Sequence, residues 1–324
     1  MKIFVAGATG TLGRRLVPLL VQAGHDVTGM TRTTERVAGL ETQGAHGVVC
    51  DVYDRDHLIE LVVKAQPEVV INELSDLDKR LGPRGNEAQF AANKRIRAEG
   101  ARNLADAAEA AGARRLIAQS YAHIYAPRLG WVKREDEPLN LGADVPAARR
   151  RNVESIQALE GIVLRTPGLE GVALRYVSFY GPGTPFASDG SIAEEVRKRH
   201  YPIIGNGQGR TSFVHVDDAA TATMAALSGK PGVYNICDDR PAMEKEWVPF
   251  YASTIEAPHP RRVFAFALNA LGREHFVYRA TQQRGASNAK AKAELGWELR
   301  YPSWREGFLA EARADRAAGV ARVA

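Results

Sequence analysis

Met1-Lys-Ile-Phe-Val-Ala-Gly7-Ala-Thr-Gly10-Thr-Leu-Gly13 is the stretch that decides the fold. The run from Lys2 to Ala6 is short and largely apolar, which predicts a buried parallel strand. Three glycines at a spacing of three follow at once. Residues 14–23 then carry the pattern of a helix that stops at Gly24. Strand, glycine turn and helix make a cradle for a dinucleotide. Gly7 permits the sharp turn and Gly10 lets the backbone approach a pyrophosphate. Gly13 lets the helix pack close to the strand, and the helix N-terminus faces the phosphates. Thr9, Thr11 and Leu12 belong to the same loop and are assigned to the cofactor site with the glycines. A lone glycine triplet is weak evidence, but directly after a strand it is strong.

Working outward, further strands are expected at 26–31, 47–50, 68–72, 115–119 and 172–177. Helices are expected over 34–42, 54–65 and, as one long element, about 86–111. This βαβ rhythm predicts an α/β chain built on a doubly wound parallel sheet. From Gly181 the sequence turns Gly/Pro-rich, with late strands at 213–216 and 233–236. Residues 1–180 and 211–238 are assigned to the nucleotide-binding core. Residues 181–210 and 239–324 are assigned to a smaller C-terminal α/β substrate-binding lobe.

The chain has 324 residues, 45% of them hydrophobic, and a net charge of +5. Its basic residues are scattered and not interleaved with aromatics, which argues against a nucleic-acid surface. No apolar stretch is long enough to span a bilayer. The N-terminus is itself the first strand, with no room for a signal peptide, and a cytoplasmic protein is expected. Cys50 and Cys237 read as buried free thiols. No His/Cys/Asp cluster has metal-ligand spacing, so no metal is expected.

The second strand ends Met30-Thr31-Arg32. A reader of NAD usually places a carboxylate there for the ribose hydroxyls. A guanidinium, with Arg36 one turn later, suits the 2′-phosphate of NADP(H); NAD(H) is the alternative. Asp51 ends the third strand and can accept from the adenine amino group or cap the next helix. Val52 beside it and Asn93 in the long helix complete the expected cofactor set.

Further segments point one way: Gln119-Ser-Tyr-Ala-His-Ile-Tyr125, Leu174-Arg-Tyr-Val-Ser-Phe-Tyr-Gly-Pro-Gly183, Phe213-Val-His-Val-Asp-Asp218 and Ser287-Asn-Ala-Lys-Ala-Lys-Ala-Glu-Leu-Gly-Trp297. In this order they resemble the extended short-chain dehydrogenase/reductases, the NAD-dependent epimerase/dehydratase-like proteins. The resemblance covers nearly the whole chain. It implies a Rossmann-type core, a C-terminal substrate lobe and a homodimer. It also implies chemistry by a Ser or Thr, a Tyr and a Lys, the last two spaced Tyr-x-x-x-Lys.

That pair is missing. No tyrosine lies between Tyr125 and Tyr176. Counted back from Glu154 without a gap, the lysine position falls on Arg150 and the tyrosine position on Pro146. The hydroxyl position falls on Tyr121, with Ser120 before it. One explanation is a rebuilt site: Tyr121 donates the proton, Arg150 holds the ribose and stabilises the phenolate, and Ser120 assists. Tyr180, after the sixth strand, is the alternative donor, and Tyr176 is placed toward the same cleft. His123 is read as a surface or turn residue, or as a proton relay. The other explanation is lost chemistry, leaving a non-catalytic NADP(H) sensor.

Family members that act on nucleotide sugars carry an arginine where this chain has Thr211; Arg210 is one residue early. The aromatic residues of the C-terminal lobe (Trp247, Phe250, Tyr251, Phe264, Phe266, Phe276, Tyr278) read mostly as core. Those that line the pocket favour a small apolar substrate over a diphosphate. The expected reaction is therefore hydride transfer between NADP(H) and a carbonyl or conjugated double bond. A nucleotide-sugar epimerase or dehydratase is the second enzymatic reading.

Overall fold

The computed structural model describes residues 1–76, 87–143 and 145–319. Seven strands form one parallel sheet: β1 (Lys2–Ala6), β2 (Asp26–Thr31), β3 (His46–Val49), β4 (Val69–Asn72), β5 (Arg115–Tyr121), β6 (Glu170–Tyr176) and, later in the chain, Gly232–Ile236. Two short strands, β7 (Ser178–Tyr180) and β8 (Phe213–His215), pair with each other beside this sheet, so Gly232–Ile236 is β9. The order across the sheet is β9-β6-β5-β4-β1-β2-β3. The chain runs outward from β1 to β3, then crosses back to β4 on the other side of β1. A crevice opens where the order reverses, outside the C-terminal ends of β1 and β4.

Alternation along β1 builds both faces. Ile3 and Val5 pack with Leu16, Val17 and Leu20 of helix α1 (Gly13–Gln22). Phe4 and Ala6 face the other way, onto Leu58 and Val62 of α2 (Arg55–Ala65) and onto Leu104. Every one of these side chains is buried. An all-apolar strand is what a sheet covered on both faces requires.

The long helix expected over 86–111 is interrupted. It runs as α3 (Glu87–Arg95), a wider π turn (Ile96–Gly100) and α4 (Ala101–Ala110). A methyl on Gly100 would press on Val52 and Ile96, so the backbone approaches closely here. The π turn adds a residue locally and re-aims its side chains. Arg97 is thereby brought onto Asn152 and Ser155 of α5 (Ala147–Arg165).

A third core lies beyond the sheet. Tyr180, Phe213, Trp247, Tyr251, Trp304 and Phe308 pack as an aromatic cluster, mostly edge to face. Trp247 and Tyr251 belong to it as the sequence suggests, whereas Phe264 and Phe266 are 74% and 72% exposed. Tyr180, expected as an alternative proton donor, stands in this cluster instead. It is fully buried, its hydroxyl has no hydrogen-bond partner among the described residues, and a methyl at Gly307 would overlap it. The phenol packs directly against the backbone of the C-terminal helix, α9 (Trp304–Ala317), at Gly307. Between α5 and α9, α6 (Val216–Ala225) packs with α1 in the core of the sheet, whereas this lobe contributes α7 (Glu244–Thr254) and α8 (Glu274–Gln282).

Candidate active site

The glycine loop fits a pyrophosphate. Gly7 has a φ of 87°, and a methyl there would strike the backbone of Glu73. A methyl on Gly13 would overlap the carbonyls of Gly7 and Ala8, so only glycine lets α1 start this close to β1. The first turn of α1 holds Arg14 and Arg15 and no acidic residue. Helix dipoles disfavour cations at that end, so the turn suits an added anion. The loop is braced from both sides: Arg14 Nε donates to the Thr9 carbonyl at 3.0 Å, and the Thr11 hydroxyl lies 3.4 Å from the Gly183 carbonyl. The Thr9 and Thr31 hydroxyls approach to 3.4 Å. Leu12 is buried beneath the loop.

Arg32 projects from the end of β2 with its side chain 63% exposed. Its ionic contact to Asp76 is 3.9 Å long, which leaves the guanidinium available to a ligand phosphate. Asp51 turns back on itself, its Oδ1 accepting from the Tyr53 amide at 3.0 Å. The helix cap is Asp54, which accepts from the His57 amide. Val52 is buried and its carbonyl accepts from Asn103 at 2.9 Å. The Asn93 side chain exchanges two hydrogen bonds with the backbone of Asp76, so it braces the loop after β4.

At the end of β5 the side chains divide between a structural network and a chemical one. The Ser120 hydroxyl donates to Glu160 at 2.7 Å. Glu160 also receives two bonds from Arg175, both 2.7 Å, and Arg175 reaches the Tyr125 hydroxyl at 2.8 Å. Ser120 therefore belongs to a buried ion-pair network and does not join Tyr121.

Tyr121, the next residue, leans the other way. Its hydroxyl lies 2.9 Å from His123 Nδ1. His123 Nε2 accepts from the Ser212 amide at 3.1 Å. A neutral imidazole has one acceptor and one donor nitrogen, so Nδ1 carries the proton and donates to the phenol oxygen. The phenol keeps its own proton for another acceptor. His123 is 3% exposed, not a surface histidine, and burial, with Arg149 and Arg279 nearby, pushes its pKa down to about 3. It stays neutral at any physiological pH. Burial also raises the pKa of Tyr121, against the opposing pull of Arg149, Arg279 and Arg97. The phenol is thus a protonated donor at neutral pH.

The cation beside Tyr121 is Arg149, not Arg150. Both lie in the first turn of α5, but successive helical residues point about 100° apart. Arg150 turns outward to Glu154 at 3.7 Å with its side chain 40% exposed. Arg149 is 6% exposed, lies over the Tyr278 ring and donates to the His123 carbonyl at 2.9 Å. One residue on a helix decides between solvent and site.

Two further residues are not marked by any sequence pattern. Arg279 of α8 pairs with Glu244 at 3.1 Å and donates to the Tyr201 hydroxyl. Glu73 directly follows β4 beside Gly7; it is 5% exposed and neither carboxyl oxygen has a well-formed hydrogen bond among the described residues. Burial raises its pKa to about 8, against a smaller opposing pull from the nearby Tyr176 phenol. Tyr176 is itself buried and bonded to Thr223 at 2.6 Å.

Residues 3–237 match the model of the NAD dependent epimerase/dehydratase family. The chain belongs to that family. A 3-diazoavenalumate denitrifying reductase from a Streptomyces species is 40% identical over 309 residues, covering 95% of this chain and 99% of the relative. The 2-alkyl-3-oxoalkanoate reductase of Stenotrophomonas maltophilia is 25% identical, covering 82% of this chain and 79% of the relative. Among solved structures, the UDP-glucose 4-epimerase of Thermotoga maritima, in complex with UDP-glucose, superposes with a TM-score of 0.75 at 19% identity, covering 98% and 99% of the two chains. The NAD complex of the Thermus thermophilus UDP-glucose 4-epimerase gives 0.73, also at 19% identity, covering 98% and 100%. These structures share the fold. Relatives of this chain are oxidoreductases and epimerases, and no helix among its described residues is long and apolar enough to cross a membrane.

Proposed function

We propose that the protein is an NADP(H)-dependent reductase that delivers hydride from the nicotinamide and a proton from Tyr121 to a small unsaturated compound. The observation that carries this reading is the hydrogen-bond direction at Tyr121. The Ser212 amide leaves His123 able only to donate to the phenol oxygen, so the phenol proton is free to pass to substrate. The glycine loop and Arg14 side of α1 would hold the pyrophosphate, and Arg32 the 2′-phosphate. The bound nicotinamide supplies the hydride. Arg149 and His123 orient the phenol and stabilise the phenolate left after proton transfer. Neither they nor Tyr121 need the missing Tyr-x-x-x-Lys pair.

The acceptor is a carbonyl or a conjugated double bond, each of which takes one hydride and one proton. A second acceptor class is favoured by the 40% identity to the Streptomyces denitrifying reductase. The carbon of a neutral diazo compound takes the same hydride and proton. Two C–H bonds form there, the C–N bond breaks, dinitrogen leaves, and the nucleotide is oxidised. The test is NADPH consumption over a panel of ketones, enones and diazo compounds, with dinitrogen followed by mass spectrometry. Turnover in any one class is expected. No consumption by protein that binds NADPH would favour a sensor, and turnover of UDP-sugars without loss of nucleotide would favour an epimerase.

A further inference from the structure

Around Tyr121 the structure buries more positive than negative charge. Arg149 meets neutral groups, the His123 carbonyl and the Tyr278 phenol, and its Nε is buried without a partner. No carboxylate pairs with it among the described residues. Arg279 meets a single carboxylate, Glu244, and its Nε is also buried and unpartnered. Arg97 is held by Asn152 and Ser155, which are neutral. Three guanidiniums thus surround one phenol with one carboxylate among them. Removing a guanidinium from water without a counter-charge is unfavourable, so such a cluster is completed by an anion.

Two internal anions are ruled out as that partner. Tyr121 is a neutral phenol, since burial outweighs its three cationic neighbours. Glu244 lies against Arg279 and leaves Arg149 without a counter-charge. His123 and His275 both feel Arg149 and Arg279, and both are held neutral, with pKa values of about 3 and about 4. His275 Nδ1 is a further buried polar atom with no partner. The two arginines come from different parts of the fold, α5 of the core and α8 of the lobe, and both act on the Tyr121 phenol and the His123 ring.

We infer that Arg149 and Arg279 form a recognition site for the carboxylate of a small organic acid, so that the substrate is an anion held beside Tyr121. This rests on the reductase reading for the word substrate, but the site itself is tested by binding alone. The planar fork of arginine matches a carboxylate. The Tyr278 ring under Arg149 offers an adjacent aromatic face.

The test uses the full chain saturated with NADP+, titrated calorimetrically with benzoate and cinnamate, with their methyl esters, and with UDP. Each acid is expected to bind about tenfold or more tightly than its ester, the worth of a charge-assisted pair. Arg149→Gln is expected to erase that ratio by weakening the acid and sparing the ester, with NADPH affinity unchanged. Arg279→Gln provides a second variant should the first fail to fold, and the acid-to-ester ratio of the parent needs no variant. Acids binding no better than esters overturn the inference, as does UDP binding more tightly than either acid, which would make the cluster a diphosphate site. Because no turnover is read, failure of the reductase chemistry leaves this result standing.

Discussion

Replacing Tyr121 with Phe separates chemistry from folding, because the structure sets a different size for each effect. The substitution removes the phenol oxygen and leaves His123 Nδ1–H without its acceptor. His123 is 3% exposed, so water does not replace the lost bond. A buried donor left unsatisfied costs about 1–3 kcal/mol. A domain stabilised by about 5–15 kcal/mol survives that loss nearly fully folded at 25 °C. Loss of a general acid lowers kcat/KM by about 10²–10⁴-fold, far more than the change in folded fraction. The assay is NADPH oxidation with the best acceptor from the panel, alongside urea unfolding and an NADPH binding titration. The expected result is a large fall in kcat/KM, a small fall in stability and unchanged NADPH affinity. A Tyr121→Phe/His123→Phe double variant removes donor and acceptor together. It also strips the buried Ser212 amide of its acceptor, so it is expected to regain neither stability nor activity relative to the single variant. Activity of Tyr121→Phe within about threefold of the parent, some 0.7 kcal/mol of barrier, would remove Tyr121 from the mechanism.

Three other consequences are open to measurement. Glu160→Gln leaves the buried Arg175 guanidinium without its counter-charge; a loss of about 3–5 kcal/mol in urea unfolding is expected, and a loss below about 1 kcal/mol would show the pair to be incidental. Glu73 has its folded pKa raised to about 8, so the unfolded chain ionises it first as pH rises. Its contribution is therefore favourable at low pH and is lost at about 1.4 kcal/mol per pH unit between roughly pH 4.5 and 8. Glu73→Gln is expected to narrow the stability difference between pH 5 and pH 9, roughly the ends of that window; an unchanged difference would mean that Glu73 is solvated. Arg32→Asp is expected to weaken NADPH binding by about 10–100-fold and to spare or improve NADH, and equal effects on both nucleotides would show that Arg32 does not read the 2′-phosphate.

Much of the scaffold is legible in the sequence because its signals are local. An apolar run over residues 3–6 followed by glycines at a spacing of three has one good solution, and β1 and α1 follow it. The parallel strand 69–72 is apolar for the same reason, being covered on both faces. The π turn at Ile96–Gly100 is not legible, since it answers a close approach to Val52 from a distant loop. The site is half legible. The missing tyrosine can be counted, and Tyr121 follows from its place at the end of β5. Arg149 cannot be told from Arg150 without the phase of α5. Ser120 and Tyr121 are neighbours on a strand and so face opposite ways; the buried Arg175–Glu160 pair, far apart in sequence, decides which way is which. Arg279 and Glu73 carry no pattern of their own. Their meaning comes from burial, which only tertiary structure supplies.

Isotope transfer from the cofactor tests the proposed reduction most directly. The protein is incubated with NADPH carrying deuterium at C4 of the nicotinamide, on one face or the other, and the panel of acceptors. Product mass and nucleotide oxidation are then measured together. One deuterium in the product for each NADP+ formed, from one of the two faces only, is the expected result. Conversion of a substrate with the label retained on the nucleotide, or with no nucleotide oxidised, would contradict a net reduction and return the protein to the epimerase reading.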